Sequence, residues 1–288
     1  MTIKNNFLSK FHIHPLLWLV LFLAVITGSF VEIAIIFCLI FIHEMGHIGM
    51  ALFFRWRISS IMFWPFGGVM NTDEYYTRSY KEEFLVVLAG PMQHIWIHFV
   101  LMFMLTNTDI PTHLVEYALT YNTNLLLFNL LPIYPLDGGK ILLLLLSYKV
   151  PFKQVISLTV ILSIAFIMMA MFITYFNEWS TFHTILLACF LLLENRLEWK
   201  RRQYIFIRHL MSRYAQSSPP LMKKLTVSPS MTVYSVLEKF YKGKYHHVDV
   251  LESNQLLAMV GEQRCLEAFF DQKLPHTEMR QLAETGHT

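Results

Sequence analysis

The apolar residues in the first two thirds of the chain form long, nearly continuous runs instead of an alternating pattern. A helix needs about 20 such residues to cross the hydrocarbon core of a bilayer, so these runs predict membrane spans. No small-residue cleavage motif follows the first run, which favours a retained span over a removed signal peptide. We therefore predict a polytopic α-helical membrane protein with six transmembrane helices, over residues 16–30, 33–54, 84–106, 114–131, 152–176 and 181–193.

Two short runs of β-like composition interrupt this pattern between the second and third apolar runs. Residues 58–64 and 69–75 are joined by a Pro-Phe-Gly-Gly turn that contains Phe66. This spacing predicts a β-hairpin. Its apolar side chains would let it enter the membrane interface and offer an edge strand to an extended peptide, with Phe66 in contact with the substrate. An ordinary surface loop is the alternative.

Beyond residue 199 the pattern becomes that of a water-soluble segment. Residues 199–214 have the pattern of a basic amphipathic helix, and a Ser-Ser-Pro-Pro linker at 217–220 ends it. A small α+β module of order β-α-β-β-α is then predicted at residues 225–227, 232–241, 247–251, 256–260 and 262–272. The expected domains are a transmembrane domain at 1–198, a linker helix and linker at 199–224, and a cytoplasmic domain at 225–288.

Composition supports a membrane protein and excludes a single soluble domain, since 55% of the 288 residues are hydrophobic and 15% are charged. Residues 200–288 carry 13 of the 23 Lys and Arg residues but 8 of the 20 acidic ones, which makes the tail basic. The three loops expected outside contain no Lys or Arg. By the positive-inside rule both termini are therefore expected in the cytoplasm. The three cysteines have unrelated spacings, which indicates neither a disulfide framework nor a thiolate metal site.

Residues that can bind metal ions or protons lie inside the second apolar run, where polar side chains cost free energy of membrane insertion. His43, Glu44 and His47 fall within five residues, and residues four apart share one face of a helix, so both imidazoles can reach one metal ion. Glu44 would act as the general base on a water molecule, as in the H-E-x-x-H pattern of zinc proteases. The alternative is a pair of histidines hydrogen-bonded to neighbouring helices, which leaves three costly residues at membrane depth unexplained.

A second polar sequence follows the fourth apolar run, where the helical pattern breaks. Two prolines and two glycines between Asn129 and Lys140 cannot continue a regular helix. Broken backbone at membrane depth is tolerated only where it is buried in protein or lines a cavity. Asp137 lies at this break, and we take it as the third metal ligand, although it could also cap the helix that follows. Asn129 could donate hydrogen bonds to the substrate backbone or the oxyanion.

His94 and His98 form a second histidine pair with a spacing of four, in the third apolar run. They are a rival metal site by spacing alone. Because no carboxylate lies beside them, we favour a structural role or a role in supporting the metal ligands.

The two polar sequences resemble those of the site-2 protease family of intramembrane zinc metalloproteases. The resemblance rests on H-E-x-x-H beginning at His43 and on N-x-x-P-x-x-P-L-D-G beginning at Asn129. It implies one Zn²⁺ per chain, bound by the two histidines and Asp137, and we expect Pro135 to bind substrate together with Asn129. Many members have Asn at the position of His94, so the chain departs from the family pattern there.

The early catalytic span, the hairpin and the tail together resemble the family members that act in endospore formation. That resemblance implies a membrane-associated substrate similar to pro-sigma-K, two inhibitory membrane proteins, and a location in the mother-cell membrane around the forespore. The tail is similar to a single cystathionine-β-synthase (CBS) motif, which implies a homodimer through paired motifs and ATP or a related nucleotide between them. No direct contact with nucleic acid is expected.

Two other function classes fit part of the pattern. A metal transporter would bind its ion from several spans without a general base, and Glu44 beside His43 argues against it. A catalytically inactive scaffold with a nucleotide-sensing tail is the second alternative. The intact set of two histidines, Glu44 and Asp137 argues against loss of catalysis.

Overall fold

A computed structural model of the chain describes residues 10–64, 67–177, 182–215, 221–253 and 255–284. The chain folds into two compact units. The first comprises Met1–Pro132 and Leu136–Ile141, and the second comprises Ile133–Pro135 and Leu142–Thr288.

The described part of the first unit is built from long helices and one small sheet. Its elements in chain order are β1 (Phe11–Ile13), α1 (Pro15–Thr27), α2 (Phe30–Phe53), β2 (Ile58–Trp64), β3 (Gly67–Thr72), α3 (Tyr80–Asn107) and α4 (Thr112–Asn129). Helix α5 (Asp137–Ser147) begins in this unit.

Three of the predicted membrane spans are supported by the described helices. Helices α2, α3 and α6 (Phe152–Phe176) are long and apolar enough to cross a bilayer. Helix α1 has 13 residues, because Gly28 adopts a left-handed conformation (φ 75°) and ends it. The predicted first span at 16–30 is therefore wrong at its end, since Phe30 already begins α2. The chain is mostly helical and consistent with a polytopic membrane protein, while the spans at 16–30, 114–131 and 181–193 stay predictions.

The predicted hairpin is confirmed, with a third strand that the sequence did not reveal. Strands β2 and β3 pair antiparallel, with Ile61 opposite Met70 and Trp64 opposite Gly67. Strand β1 pairs parallel with β2 on its other side, so the sheet order is β1-β2-β3 and β3 is an outer strand. Phe66, expected to contact substrate, lies outside the described residues.

The hairpin packs into the first unit through one face of β2. Ile58, Ile61 and Phe63 are buried with residues of α1, α2 and α3 in a cluster completed by Leu17, Ile48, Ala51, Trp56 and Val86. This packing fixes the hairpin against the helix that carries His43 and His47. The strand is therefore part of the core of this unit.

The second unit contains two long helices and the tail module. Its described elements after α5 are α6, α7 (Phe182–Ala215), β4 (Met222–Val227), α8 (Val233–Leu237), β5 (Tyr245–Glu252), β6 (Gln255–Gly261), α9 (Glu262–Phe270) and α10 (Met279–Glu284). Strand β5 lies between β4, which is parallel to it, and β6, which is antiparallel. The order β-α-β-β-α is thus present, with α10 in addition to it.

Helix α7 is one continuous element of 34 residues. The sequence was interpreted as a sixth span ending at residue 193 followed by a separate basic helix at 199–214, and the structure joins these two. The proposed domain boundaries at 198 and 224 stay predictions. The predicted linker at 217–220 and residue 181 lie outside the described residues.

The tail module is attached to α7 through a buried polar cluster. Arg213 of α7 donates from Nε to Glu262 Oε1 (2.6 Å) and from Nη2 to Glu262 Oε2 (2.8 Å). The same carboxylate accepts from His246 Nδ1 (2.9 Å), while His246 Nε2 accepts from the Tyr241 N–H (3.0 Å). Each side chain of this cluster is less than one tenth exposed. An ion pair between Lys153 of α6 and Glu238 adds a second attachment.

Candidate active site

Helix α2 places His43, Glu44 and His47 on consecutive turns inside the first unit. The three residues are 4%, 8% and 4% exposed, although the helix is otherwise almost wholly apolar. Because the two histidines are four residues apart, their rings lie on the same face with centroids 4.8 Å apart. The structure therefore gives the H-E-x-x-H sequence the helical geometry that its spacing predicts.

Asp137, the first residue of α5, completes a triangle of ligand atoms. His43 Nε2 and His47 Nε2 lie 3.1 and 3.0 Å from Asp137 Oδ2, and 3.1 Å from each other. Among the described residues, these three form the group of His, Cys, Asp and Glu side chains able to bind a metal ion. The carboxylate is 3% exposed.

The donor set and its dimensions fit a zinc ion. Two imidazole nitrogens and one carboxylate oxygen are a common ligand set of catalytic zinc, with bonds of about 2.0–2.2 Å. Tetrahedral geometry at these lengths separates ligand atoms by about 3.3 Å, a few tenths of an ångström more than the distances in the triangle. A small outward shift of the side chains would therefore admit the ion.

Neighbouring groups bind the outer atoms of two of the three candidate ligands, His47 and Asp137. His47 donates its Nδ1–H to the carbonyl oxygen of Val86 (2.8 Å), which fixes the tautomer and leaves Nε2 with a lone pair. Lys140 Nζ lies 3.2 Å from Asp137 Oδ1, the oxygen turned away from the imidazoles. The roles of Val86 and Lys140 were not predicted from the sequence, although a lysine one turn after Asp137 is a recognisable signal.

Glu44 is held by the hairpin. Its Oε1 accepts a hydrogen bond from the backbone N–H of Gly68 in β3 (3.0 Å). A Cβ at position 68 would lie 2.5 Å from Glu44 Cγ, so only glycine lets the strand come this close. The hairpin that the sequence suggested as a substrate site thus also fixes the orientation of the carboxylate.

The three predicted substrate-binding residues are not joined to this cluster by a described contact. Asn129, half-buried at the end of α4, donates from Nδ2 to the carbonyl of Leu125 in its own helix (3.0 Å). Pro135 follows Tyr134 in a segment of the second unit. Phe66 lies outside the described residues. The substrate-binding roles of all three stay predictions.

The two histidines of α3 differ in their surroundings. His94 is 1% exposed and its ring centroid lies 5.0 Å from that of His43. It pairs with Asn122 of α4, a buried residue that the sequence analysis did not single out. His98 is half-buried, with its ring edge against Phe99. His94 therefore lies beside the candidate ligands, and the described residues offer the two histidines no common metal site.

The chain is similar to several known proteins. Among solved structures, the chain is similar to the site-2 protease from Methanocaldococcus jannaschii, with a TM-score of 0.49, 23% identity, and coverage of 65% of this chain and 89% of that one. It is also 28% identical over 258 residues to a zinc metalloprotease of the same organism, covering 84% of this chain and 73% of that protein.

Two further comparisons establish the family. The chain is 36% identical over 275 residues to stage IV sporulation protein FB of Bacillus subtilis (strain 168), which covers 95% of this chain and 96% of that protein. The model of peptidase family M50 matches residues 31–110 and 106–171. By this family match and this relative, the chain belongs to peptidase family M50, the site-2 proteases, and is a zinc metalloprotease.

Proposed function

We propose that the chain hydrolyses a peptide bond of a membrane-associated protein, with Zn²⁺ bound by His43, His47 and Asp137 and with Glu44 as the general base. One observation carries the proposal. Three buried ligand atoms converge to within 3.1 Å of one another in an apolar unit, and a carboxylate lies on the same turn of α2. The bond to Val86 leaves a lone pair on His47 Nε2 that faces a carboxylate oxygen of Asp137, and a cation between these two atoms would stabilise both.

The protein's own residues have two roles: some orient the metal ligands, and Glu44 transfers protons. When bound, zinc supplies a Lewis acid that acidifies water and polarises the scissile carbonyl. Glu44 Oε1 stays with the Gly68 N–H, while Oε2 accepts a proton from water and later returns it to the leaving amine. Lys140 keeps Asp137 turned so that one oxygen faces the imidazoles.

The substrate must present an extended segment, because a helix keeps its carbonyl groups in internal hydrogen bonds. Strand β3 is an outer strand of its sheet and carries Gly68, which contacts Glu44. An unwound substrate segment that adds to this strand would lie beside the general base. We assign Phe66, Asn129 and Pro135 to substrate binding on the basis of the sequence patterns described above.

The finer identity of the substrate rests on resemblance. The Bacillus subtilis relative is named a sporulation protein, which supports a sporulation role for this chain. We propose a pro-sigma-K-like substrate, regulation by two inhibitory membrane proteins, cytoplasmic termini and a location in the mother-cell membrane around the forespore. The positive-inside pattern of Lys and Arg supports the orientation.

The tail is proposed to control access or to dock the substrate. Its β-α-β-β-α order is compatible with a CBS-like motif, which would pair with a second copy and bind ATP or a related nucleotide. Removing residues 220–288 should then abolish cleavage of the native substrate while zinc remains bound. Normal processing by the shortened protein would exclude both roles, and lost cleavage without any ATP effect would favour docking.

The test of the catalytic proposal replaces Glu44 by Gln in the full chain, co-expressed with a membrane-tethered candidate substrate. Gln cannot accept the proton but removes no metal ligand, so cleavage should disappear while one zinc per chain remains. Glu32→Gln, on the same helix α2, is the matched control and should cleave normally. Wild-type turnover by Glu44→Gln would overturn the assignment of the general base.

Neither alternative function gains support from the structure. A transporter needs ligands along a path, whereas the described residues contain one compact three-residue group. An inactive scaffold would not need Glu44 to be fixed by a glycine that allows no side chain. Both alternatives predict that the wild-type chain and Glu44→Gln alike fail to cleave the substrate.

A further inference from the structure

His94 is a buried histidine that the proposed mechanism leaves without a role. It lies one turn after Gly90 on α3, and its ring is tilted by 35° to that of His43 at a centroid distance of 5.0 Å. The backbone of α3 comes so close that a Cβ at Gly90 would lie 2.2 Å from His47 Nε2 and 2.8 Å from His43 Cε1. Helix α3 therefore places His94 next to the imidazole of a candidate metal ligand.

Asn122 fixes the tautomer of His94. The Asn122 amide donates from Nδ2 to the backbone carbonyl of His94 (2.9 Å), and a carbonyl can only accept, so this bond orients the carboxamide. Its oxygen Oδ1 then faces His94 Nδ1 at 2.8 Å. Since Oδ1 also only accepts, Nδ1 must carry the proton. In the neutral ring, Nε2 is consequently a hydrogen-bond acceptor.

The outer nitrogen of His43, Nδ1, is a hydrogen-bond donor and so complements the acceptor on His94. His43 Nε2 faces the other two ligand atoms and must be unprotonated to bind an ion, so Nδ1 of the neutral ring carries the hydrogen. Both His43 Nδ1 and His94 Nε2 are buried, and neither has a hydrogen-bond partner among the described residues. A donor and an acceptor without partners therefore lie on adjacent rings.

We propose that His94 is a positioning residue for the metal ligand His43, accepting the hydrogen bond of His43 Nδ1 at its own Nε2. It does for His43 what the carbonyl of Val86 does for His47. The centroid distance of 5.0 Å leaves about 2.8 Å between two ring nitrogens that face each other, an ordinary hydrogen-bond length, so a small adjustment of the side chains suffices. This inference rests on the proposed ligand set.

The expected consequence is on metal binding as well as on turnover. A partner on the outer nitrogen of a ligating histidine fixes the ring and raises its basicity, and losing such a partner weakens metal binding about 10- to 100-fold. His94 does not touch the substrate in this scheme. Its loss should therefore lower zinc affinity and kcat, with KM unchanged.

The test measures the zinc dissociation constant of the full chain in detergent by competition with a chromophoric chelator, together with the absorption spectrum of Co²⁺ at the site. His94→Phe keeps a ring but removes the acceptor, and should weaken zinc binding about 10- to 100-fold and alter the Co²⁺ bands. His94→Gln places a carboxamide oxygen near the position of Nε2 and should restore affinity to within a few fold. His98→Phe, one turn further along α3, is the matched control and should bind zinc normally.

Asn122→Leu tests the tautomer argument separately. Without the carboxamide, His94 can place its proton on either nitrogen, and only one of these tautomers accepts from His43. Zinc affinity should therefore fall by less than in His94→Phe. Wild-type affinity in Asn122→Leu would show that the carboxamide does not set the tautomer and would count against the proposal.

Two outcomes overturn the inference, and each is distinct from failure of the ligand set. A folded His94→Phe protein with wild-type zinc affinity excludes the role of the acceptor. If His94→Phe does not fold, His94→Gln and His94→Asn decide, because the shorter Asn cannot reach His43; equal affinities in these two variants also exclude it. If His43→Ala itself keeps full zinc affinity, the proposed ligand set has failed instead.

Discussion

Two buried polar clusters in the described part of the chain contain histidine, and they differ in how their polar atoms are paired. In the tail, His246 donates from Nδ1 to Glu262 and accepts at Nε2, and Arg213 saturates the same carboxylate. In the first unit, His43 and His47 turn their Nε2 atoms towards one oxygen of Asp137. The polar atoms of the tail cluster meet partners of opposite character, whereas in the other cluster three atoms that can each bind a metal ion converge.

This difference separates a structural cluster from one built to bind something. A buried network that is fully paired contributes stability or specificity of packing. A buried group of converging metal-ligand atoms is stabilised when a cation binds among them. The presence of histidine and a carboxylate does not distinguish the two, because both clusters contain them.

The largest effect is expected from removing a ligand. His43→Ala or Asp137→Ala should lower zinc affinity by more than about 100-fold and abolish cleavage, because two ligands do not make a catalytic zinc site. Metal analysis of the purified protein measures the first effect. Asp109→Ala, an exposed aspartate between α3 and α4, serves as control. Full zinc in Asp137→Ala would show that the third ligand lies elsewhere.

The tail cluster should respond in stability and not in metal binding. Arg213→Ala leaves Glu262 buried without its cation and should destabilise the tail by about 3–5 kcal/mol. Amide hydrogen exchange of β5 in the full chain measures this change. Arg280→Ala removes an exposed partner of Glu252 and should have an effect within error. Zinc content should stay at the wild-type value in both variants. A change would show that the tail cluster and the metal ligands are coupled.

A smaller and purely catalytic effect is expected at the hairpin. Gly68→Ala pushes β3 away from Glu44 and should lower kcat about 10- to 100-fold, below the full contribution of a general base, without loss of zinc. The assay is cleavage of the membrane-tethered substrate with parallel metal analysis. Gly49→Ala, where a Cβ meets no atom within 4 Å, is the matched control. Equal rates for the two variants would show that the Gly68 contact does not align the base.

The smallest expected effect is the dependence of the tail's stability on pH. Burial holds the pKa of His246 below 6.5; burial raises the pKa of Glu262, but His246 and Arg213 outweigh it and hold that pKa below 4.5. For both groups the unfolded state takes up its proton first as pH falls, so stability is lost below about 6.5 and again below about 4.5. Hydrogen exchange of β5 between pH 8 and 4 should show it. His246→Gln should remove the upper step only, and an unchanged profile would contradict the assignment.

Much of the candidate site follows from local sequence. The spacing of His43 and His47 fixes their common face, because it depends only on helix geometry. The break in the helical pattern before Asp137 marks the place where helix α5 begins. The hairpin follows from composition and from the Pro-Phe-Gly-Gly sequence, and the tail strands follow from short apolar segments bounded by turn residues.

The remaining features depend on pairs that are distant in sequence. Strand β1 has three residues, too few for a recognisable pattern, and gains its structure from pairing with β2. The partners Gly68 and Glu44 are 24 residues apart, and Asn122 and His94 are 28 apart. Each of these residues lies in a strand or on a helix without a local signal of its partner, and only the fold shows which atoms meet. The continuity of α7 was missed because its character changes from apolar to basic midway.

Because α7 is one continuous helix, the directions of side chains at its two ends are fixed relative to each other. Asn195 donates to the carbonyl of Tyr134, and Arg213 binds Glu262. They are 18 residues apart, which is five full turns and about 27 Å, so both point from the same side of the helix. The contacts of Asn195 and Arg213 therefore both depend on the same rotation of α7 about its axis. Inserting a single residue between them would rotate one against the other by about 100°, whereas inserting seven would nearly restore the alignment at a greater length.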